Sequence, residues 1–144
     1  MKKLILSACC ALLAVGSLQA QTEMTIAEAQ TPDAEGDASS RVGELVTVEG
    51  LALSSSEHFY SGSHSSFYLI DENGGEFGGI LVYHGDAEVF DIYVGDRVRV
   101  TGIIQEYSTS SAGVESNMTE IVPENPDTDV EIISYENPLP SPIY

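Results

Sequence analysis

The clearest pattern along the chain is an alternation of apolar and polar residues that sets in at Gly43. Gly43-Glu44-Leu45-Val46-Thr47-Val48-Glu49-Gly50 puts every second side chain on one apolar face, the period of a half-buried strand. This strand is predicted to continue to about Ser54. Gly95-Asp96-Arg97-Val98-Arg99-Val100-Thr101-Gly102 has the same form, read as a second strand of the same sheet running to about Tyr107. Between them, Phe67 to Tyr83 reads as a hairpin: two β-branched or aromatic runs flank Asn73-Gly74-Gly75, residues that supply the positive φ angles of primed turns. Alternation points Phe67, Leu69, Ile80 and Val82 to one face, and Tyr68, Ile70, Leu81 and Tyr83 to the other. Both faces are apolar, so the second must be covered or must bind something.

The remaining segments fill in around these strands. Ser54 to Ser66 is a serine-rich loop carrying His58, Phe59, Tyr60 and His64. A short helix or turn is predicted around Ala87 to Ile92, a flexible Ser/Thr/Gly loop over Ser108 to Ser116, and a fifth strand over Met118 to Val122. Pro123 to Asp129 breaks the pattern, Val130 to Tyr135 reads as an edge strand, and Asn137-Pro138-Leu139-Pro140-Ser141-Pro142 reads as an extended proline-rich tail. Glycines inside strands, such as Gly50, mark the bends a small barrel needs at its corners. The expected fold is all-β: a five-stranded OB-fold-like Greek-key barrel over residues 43–122, between a flexible acidic N-terminal extension and residues 123–144. A β-sandwich fragment fits less well, since it usually needs seven or more strands.

Ahead of the barrel, Lys2 and Lys3, an apolar run from Leu4 to Val15 and Ser17-Leu18-Gln19-Ala20 form a secretory signal pattern, with cleavage expected after Ala20. Leu6-Ser7-Ala8-Cys9 matches a lipobox, but it would leave too short an apolar core, so secretion or a periplasmic location is the better reading. No later apolar run is long enough to span a membrane. Residues 21–42 read as an acidic linker with one amphipathic turn at Met24 to Ala29, and Pro32 to Ser40 as linker or disorder. Both cysteines, Cys9 and Cys10, lie in the signal, so disulfides are not expected to stabilise the mature chain.

Charge changes the picture of partners. The chain carries 5 basic and 23 acidic residues, a formal net charge of −18. Loss of the signal would leave Arg41, Arg97 and Arg99 against every acidic residue. Such a chain lacks the basic footprint of ordinary nucleic-acid binders and repels polyanions at low salt. Most of its carboxylates read as a solvated surface suited to a salty exterior.

Several pieces together resemble the barrel domain that precedes the catalytic domain in secreted bacterial nucleases of the endonuclease/exonuclease/phosphatase type. They are Thr25-Ile26-Ala27-Glu28-Ala29, Val46-Thr47-Val48-Glu49-Gly50, Phe67-Tyr68-Leu69-Ile70-Asp71, Gly79-Ile80-Leu81-Val82-Tyr83, Val94 to Gly102 and Asn137-Pro138-Leu139-Pro140. The resemblance spans most of residues 24–142 and implies a non-catalytic module, because the family's metal-binding catalytic residues have no counterpart positions here. Small periplasmic stress-related proteins with one such barrel match the size better, but they tend to carry tryptophan and this chain has none.

The candidate ligand-binding residues are Tyr68, Ile70, Leu81 and Tyr83, with Phe59, Tyr60 and Tyr107 nearby. Tyrosines on an open strand face stack bases or sugars, at about 1–3 kcal/mol per base. The competing reading is that the tail or the Met24 to Ala29 segment covers this face, making it structural. Arg97 and Arg99 fit better as cross-strand ion-pair partners of the first strand, with Glu49 and Thr47 opposite, than as phosphate contacts. His58, His64 and His84 are spaced too widely for a helical metal pair, and Asp71 to Glu76 departs from a calcium loop, with Val82 at the twelfth position. No cofactor, metal or nucleophile motif is expected, so an autonomous enzyme is not. The expected partner is single-stranded nucleic acid or another extracellular protein.

Overall fold

The protein, seen here in a computed structural model, is described over residues 21–36, 38–59, 62–87, 89–111 and 114–141. The signal segment, the lipobox, Tyr60 and residues 142–144 lie outside these. Seven strands form one sheet: β1 (Thr22–Glu23), β2 (Leu45–Ala52), β3 (Ser65–Ile70), β4 (Gly79–His84), β5 (Arg97–Ser111), β6 (Val114–Val122) and β7 (Val130–Ser134). Single helical turns are α1 (Ile26–Ala29) and α2 (Pro126–Asp129). Strand order is β1-β2-β3-β4-β6-β5-β7, and an additional β2–β5 pairing closes five of the strands into a ring. Within the ring β4 and β6 run parallel and the other pairs run antiparallel. The chain is therefore an all-β, OB-fold-like barrel with β1 and β7 attached to its rim.

Alternation dictates this core. Val46, Val48, Phe67, Leu69, Ile80, Val82, Val98 and Val100 are all at most 1% exposed, each contributing about 1.5–3 kcal/mol by leaving water. The two repeated strand patterns are neighbours, with Thr47 opposite Thr101 and Val48 opposite Val100. Their glycines mark close approaches. A Cβ at Gly50 would lie 2.8 Å from the Ile70 carbonyl oxygen, and one at Gly102 would lie 2.7 Å from that of Val122. Side chains larger than hydrogen would force the barrel apart at both corners.

Four segments differ from the sequence expectation. The β3–β4 connection is not a two-residue turn: it runs over residues 71–78, closed by the Asp71 amide donating to the Gly78 carbonyl at 2.6 Å. Gly74 and Gly75 do take positive φ within it. Ser108 to Ser116 is not a loop, since β5 and β6 continue as a paired hairpin to Ser111 and Val114. Ser and Thr are compatible with strand backbone when cross-strand hydrogen bonds are available, and their polarity hid the strand.

No helix forms among the described residues of 87–92; instead Phe90 and Ile92 drop into the core. Phe90 meets Phe67 edge to face at 5.1 Å, while Ser56 Oγ donates to the Phe90 carbonyl and accepts from the Ile92 amide. The short element expected at Met24 to Ala29 forms, and the stretch after it, read as linker or disorder, is ordered against the barrel. Thr25 and Glu28 form a capping box for α1, whose Ile26 and Ala29 are fully buried. Ser39, 5% exposed, donates to the Ala29 carbonyl at 2.6 Å, and its amide donates to Glu106 at 2.8 Å.

Candidate functional site

The side chains that alternate away from the core on β3 and β4 meet those of β6 and β5. Tyr68 lies opposite Leu81, and Ser66 opposite Tyr83. Leu81 in turn lies beside Glu120, and Tyr107 beside Met118. A cavity of about 240 Å³ opens on this face, lined by His64, Ser66, Leu81, Tyr83, Tyr107, Met118 and Glu120. Four neighbouring strands thus contribute to a single concavity. His64 tilts over Tyr83 with ring centroids 5.4 Å apart, and the Tyr68 hydroxyl donates to Met118 Sδ at 3.7 Å on the rim. Tyr107 is 54% exposed, so its ring is available to a ligand.

Of the residues nominated from sequence, Leu81, Tyr83 and Tyr107 line the cavity and Tyr68 stands beside it. Ile70 does not line it; it is half-buried opposite Gly79. Phe59 ends a 3-10 turn over Ser56–Phe59, and its side chain, like Tyr60, lies outside the described residues. Met118, Glu120, His64 and Ser66 were not nominated as ligand contacts. Met118 and Glu120 enter through the β5–β6 hairpin and the parallel β4–β6 pairing, which leave no local signal in the sequence. Ser66, opposite Tyr83, lies at the start of β3 and His64 just before it, ahead of the expected hairpin start at Phe67.

Glu120 gives the cavity its one acid. It is 7% exposed, and its carboxylate takes part in no hydrogen bond or ion pair among the described residues. Burial pushes its carboxyl above the usual carboxylate range, and the negative charge of Glu106 adds to the effect. Glu106 itself is engaged elsewhere, accepting from Thr119 Oγ1 at 2.6 Å and from the Ser39 amide.

Among the described residues, neither segment expected to cover this face lines the cavity. Met24 packs against the core and Ile26 and Ala29 are part of it. The tail is held where Asn137 donates, through its amide and its side chain, to the Gly95 carbonyl at 2.8 and 2.9 Å. Residues 137–141 contribute nothing to the cavity lining.

Arg97 and Arg99 form a separate array. Glu49 accepts from Arg97 at 2.9 Å and from Arg99 at 3.0 Å, while Glu72 and Glu131 take the remaining sides. The Arg97 guanidinium holds the Glu49 carboxyl below its usual range. A larger concavity of about 370 Å³ adjoins this array, lined by Glu23, Thr25, Glu28, Glu49, Asp71 and Arg99 among others. Its acids are largely spoken for: Glu28 accepts from Thr25 in the capping box and Glu49 from the arginines. Among the described residues no group of three or more His, Cys, Asp or Glu side chains gathers to hold a metal ion, and no helix is long and apolar enough to cross a membrane.

No family profile matches the chain, and no curated protein matches it. Among solved structures it is similar to a protein described as an aspartyl-tRNA synthetase from Leishmania major Friedlin, with a TM-score of 0.53 and 9% identity. The match covers 90% of this chain and 24% of that one, so this chain spans about a quarter of that protein's length. At this identity the likeness is one of fold.

Proposed function

We propose that the protein is a secreted or periplasmic, non-catalytic binding module that holds single-stranded nucleic acid on its β3–β4–β6 face, akin to nuclease accessory domains. The observation that carries this reading is the uncovered cavity in which Tyr83 and Tyr107 stand with His64, Leu81 and Met118. Aromatic and thioether groups on an OB-type strand face supply stacking surface to unpaired bases. The likeness in fold to an aspartyl-tRNA synthetase, a protein whose name involves a nucleic acid, supports this reading.

Electrostatics set the character of the interaction. Three arginines outside the signal, all ion-paired, offer little to phosphate, while the net charge of −18 repels it. Binding is therefore weak, driven by stacking, and tightened by added salt or magnesium, opposite to the counterion release of basic binders. The test is a fluorescence-anisotropy titration of labelled single strands with and without magnesium. Weak binding that strengthens with magnesium is expected. No binding at high micromolar protein under either condition would favour a second reading, an interaction module docking another extracellular protein on the same apolar face, to which the net charge is no obstacle.

A further inference from the structure

Glu120 is the feature of the cavity that stacking leaves unexplained. Glu120 is 7% exposed as a residue, and an acid so placed ordinarily has a hydrogen-bond partner or a cation. Its carboxylate has neither among the described residues, and it lines a space of about 240 Å³ whose other walls are aromatic, aliphatic or thioether apart from Ser66. Its register against Leu81 on β4 places it among the rings rather than at the mouth of a charged surface. Tyrosines supply stacking surface; the acid supplies two acceptor oxygens for the edge of whatever is stacked.

Resting on the base-binding reading above, we infer that Glu120 is a specificity residue that selects guanine for this cavity. A carboxylate offers two adjacent acceptors. Guanine alone among the common bases presents two adjacent donors, N1–H and the N2 amine, on its Watson–Crick edge. Adenine and cytosine each set one amine donor beside a ring-nitrogen acceptor, which the carboxylate repels. Uracil and thymine flank their single N3–H with two carbonyl oxygens, so they are disfavoured as well. Bases elsewhere along the face are held by stacking and are not discriminated. The preference is confined to the one base that enters the cavity.

The substitution Glu120→Gln makes a specific prediction, because an amide presents one acceptor and one donor side by side. That pattern gives up the N2 amine of guanine and fits an adjacent donor and acceptor on every base: O6 and N1–H of guanine, a carbonyl and N3–H of uracil, and the amine and ring nitrogen of adenine and cytosine. Uncharged nucleosides are the right probes, since they remove phosphate repulsion from the comparison. Guanosine, inosine, adenosine, cytidine and uridine are titrated into the intact protein, followed by tyrosine fluorescence and by amide NMR shifts at β4 and β6.

Guanosine is expected to bind at least about tenfold more tightly than uridine or adenosine, within the range of a good bidentate contact. Inosine, which lacks the N2 amine, falls between. In Glu120→Gln the guanosine preference collapses by about tenfold as adenosine, cytidine and uridine all improve. If all five nucleosides bind alike, or if Glu120→Gln leaves their order unchanged, the edge-reading role is overturned while base stacking stands. If none shifts the β4 and β6 amides, the base-binding reading falls, and this inference with it. A melting curve for Glu120→Gln matching the parent's keeps a folding defect from being taken for lost selectivity.

Discussion

Glu49 on β2 and Glu120 on β6 sit on outer surfaces of the same barrel, yet their surroundings are opposites. Glu49 lies between two guanidinium groups at 2.9 and 3.0 Å, and Arg97 lowers its carboxyl's affinity for protons. Glu120 lies among tyrosine, leucine and methionine, and burial raises its affinity for protons. The arginine face is internally neutralised, so its polar groups are occupied in holding β2, β5 and β7 together. The aromatic face keeps a cavity and an acid whose carboxylate is in no ion pair among the described residues, the contrast on which the proposed ligand-binding role rests. Arg41 pairs with Glu44, so all three arginines of the chain are ion-paired away from the aromatic face, and under the proposed function affinity there comes from rings and base edges.

Breaking the aromatic side should have the largest effect. Replacing Tyr83 and Tyr107 together by alanine should remove single-strand binding, a loss of about 1–3 kcal/mol for each stacked base, measured by anisotropy. The melting temperature should move little, because Tyr107 is exposed and Tyr83 lies outside the core cluster. The opposite pattern is expected on the other face. Glu49→Ala should cost about 1 kcal/mol in urea denaturation, the scale of a half-exposed ion-pair network, with binding unchanged.

Smaller effects sharpen the contrast through pH. Because the folded-state value of Glu49 is depressed, its stabilising contribution is present above the ordinary carboxylate range and is lost as pH falls through that lowered value. Glu120 has the reverse sign. Its raised value makes the folded state most favoured below the ordinary range, and that advantage is lost as pH rises through the raised value. Urea midpoints from neutral to acidic pH should therefore show Glu49→Gln less stable than the parent at neutral pH, with the gap closing in acid. Glu120→Gln should be at least as stable as the parent at neutral pH, and that difference too should close in acid. Smallest of all, Arg97→Ala should change single-strand affinity less than about twofold, since its guanidinium is occupied by Glu49 and Glu72.

The barrel was legible in the sequence because its information is local and has a period of two. The alternation in Val46-Thr47-Val48 and Phe67-Tyr68-Leu69 assigned side chains to faces, and the residues assigned inward are buried. The Arg99–Glu49 pairing followed from the expected neighbourhood of the two repeated strands. The amphipathic turn at Met24 to Ala29 was legible and forms as α1, but the order of the Pro32 to Ser40 stretch was not, because it rests on single polar contacts, Ser39 with Ala29 and with Glu106, which look like linker composition. Half of the cavity was illegible for a topological reason. Glu120 reaches Leu81 only through a parallel pairing across some forty residues, and Met118 reaches Tyr107 only because the polar stretch 108–116 continues as paired strand. Tyr83 and Leu81 could be nominated from alternation alone, but the acid beside them could not.

The most direct test of a division of labour between the two faces is an amide NMR titration of the isotope-labelled protein with a short guanine-containing single strand in the presence of magnesium. Shift changes concentrated at Ser66, Leu81, Tyr83, Tyr107, Met118 and Glu120, with Glu49, Arg97 and Arg99 unmoved, are the predicted result. Shifts concentrated at Glu49, Arg97 and Arg99, with the cavity residues unmoved, would contradict it.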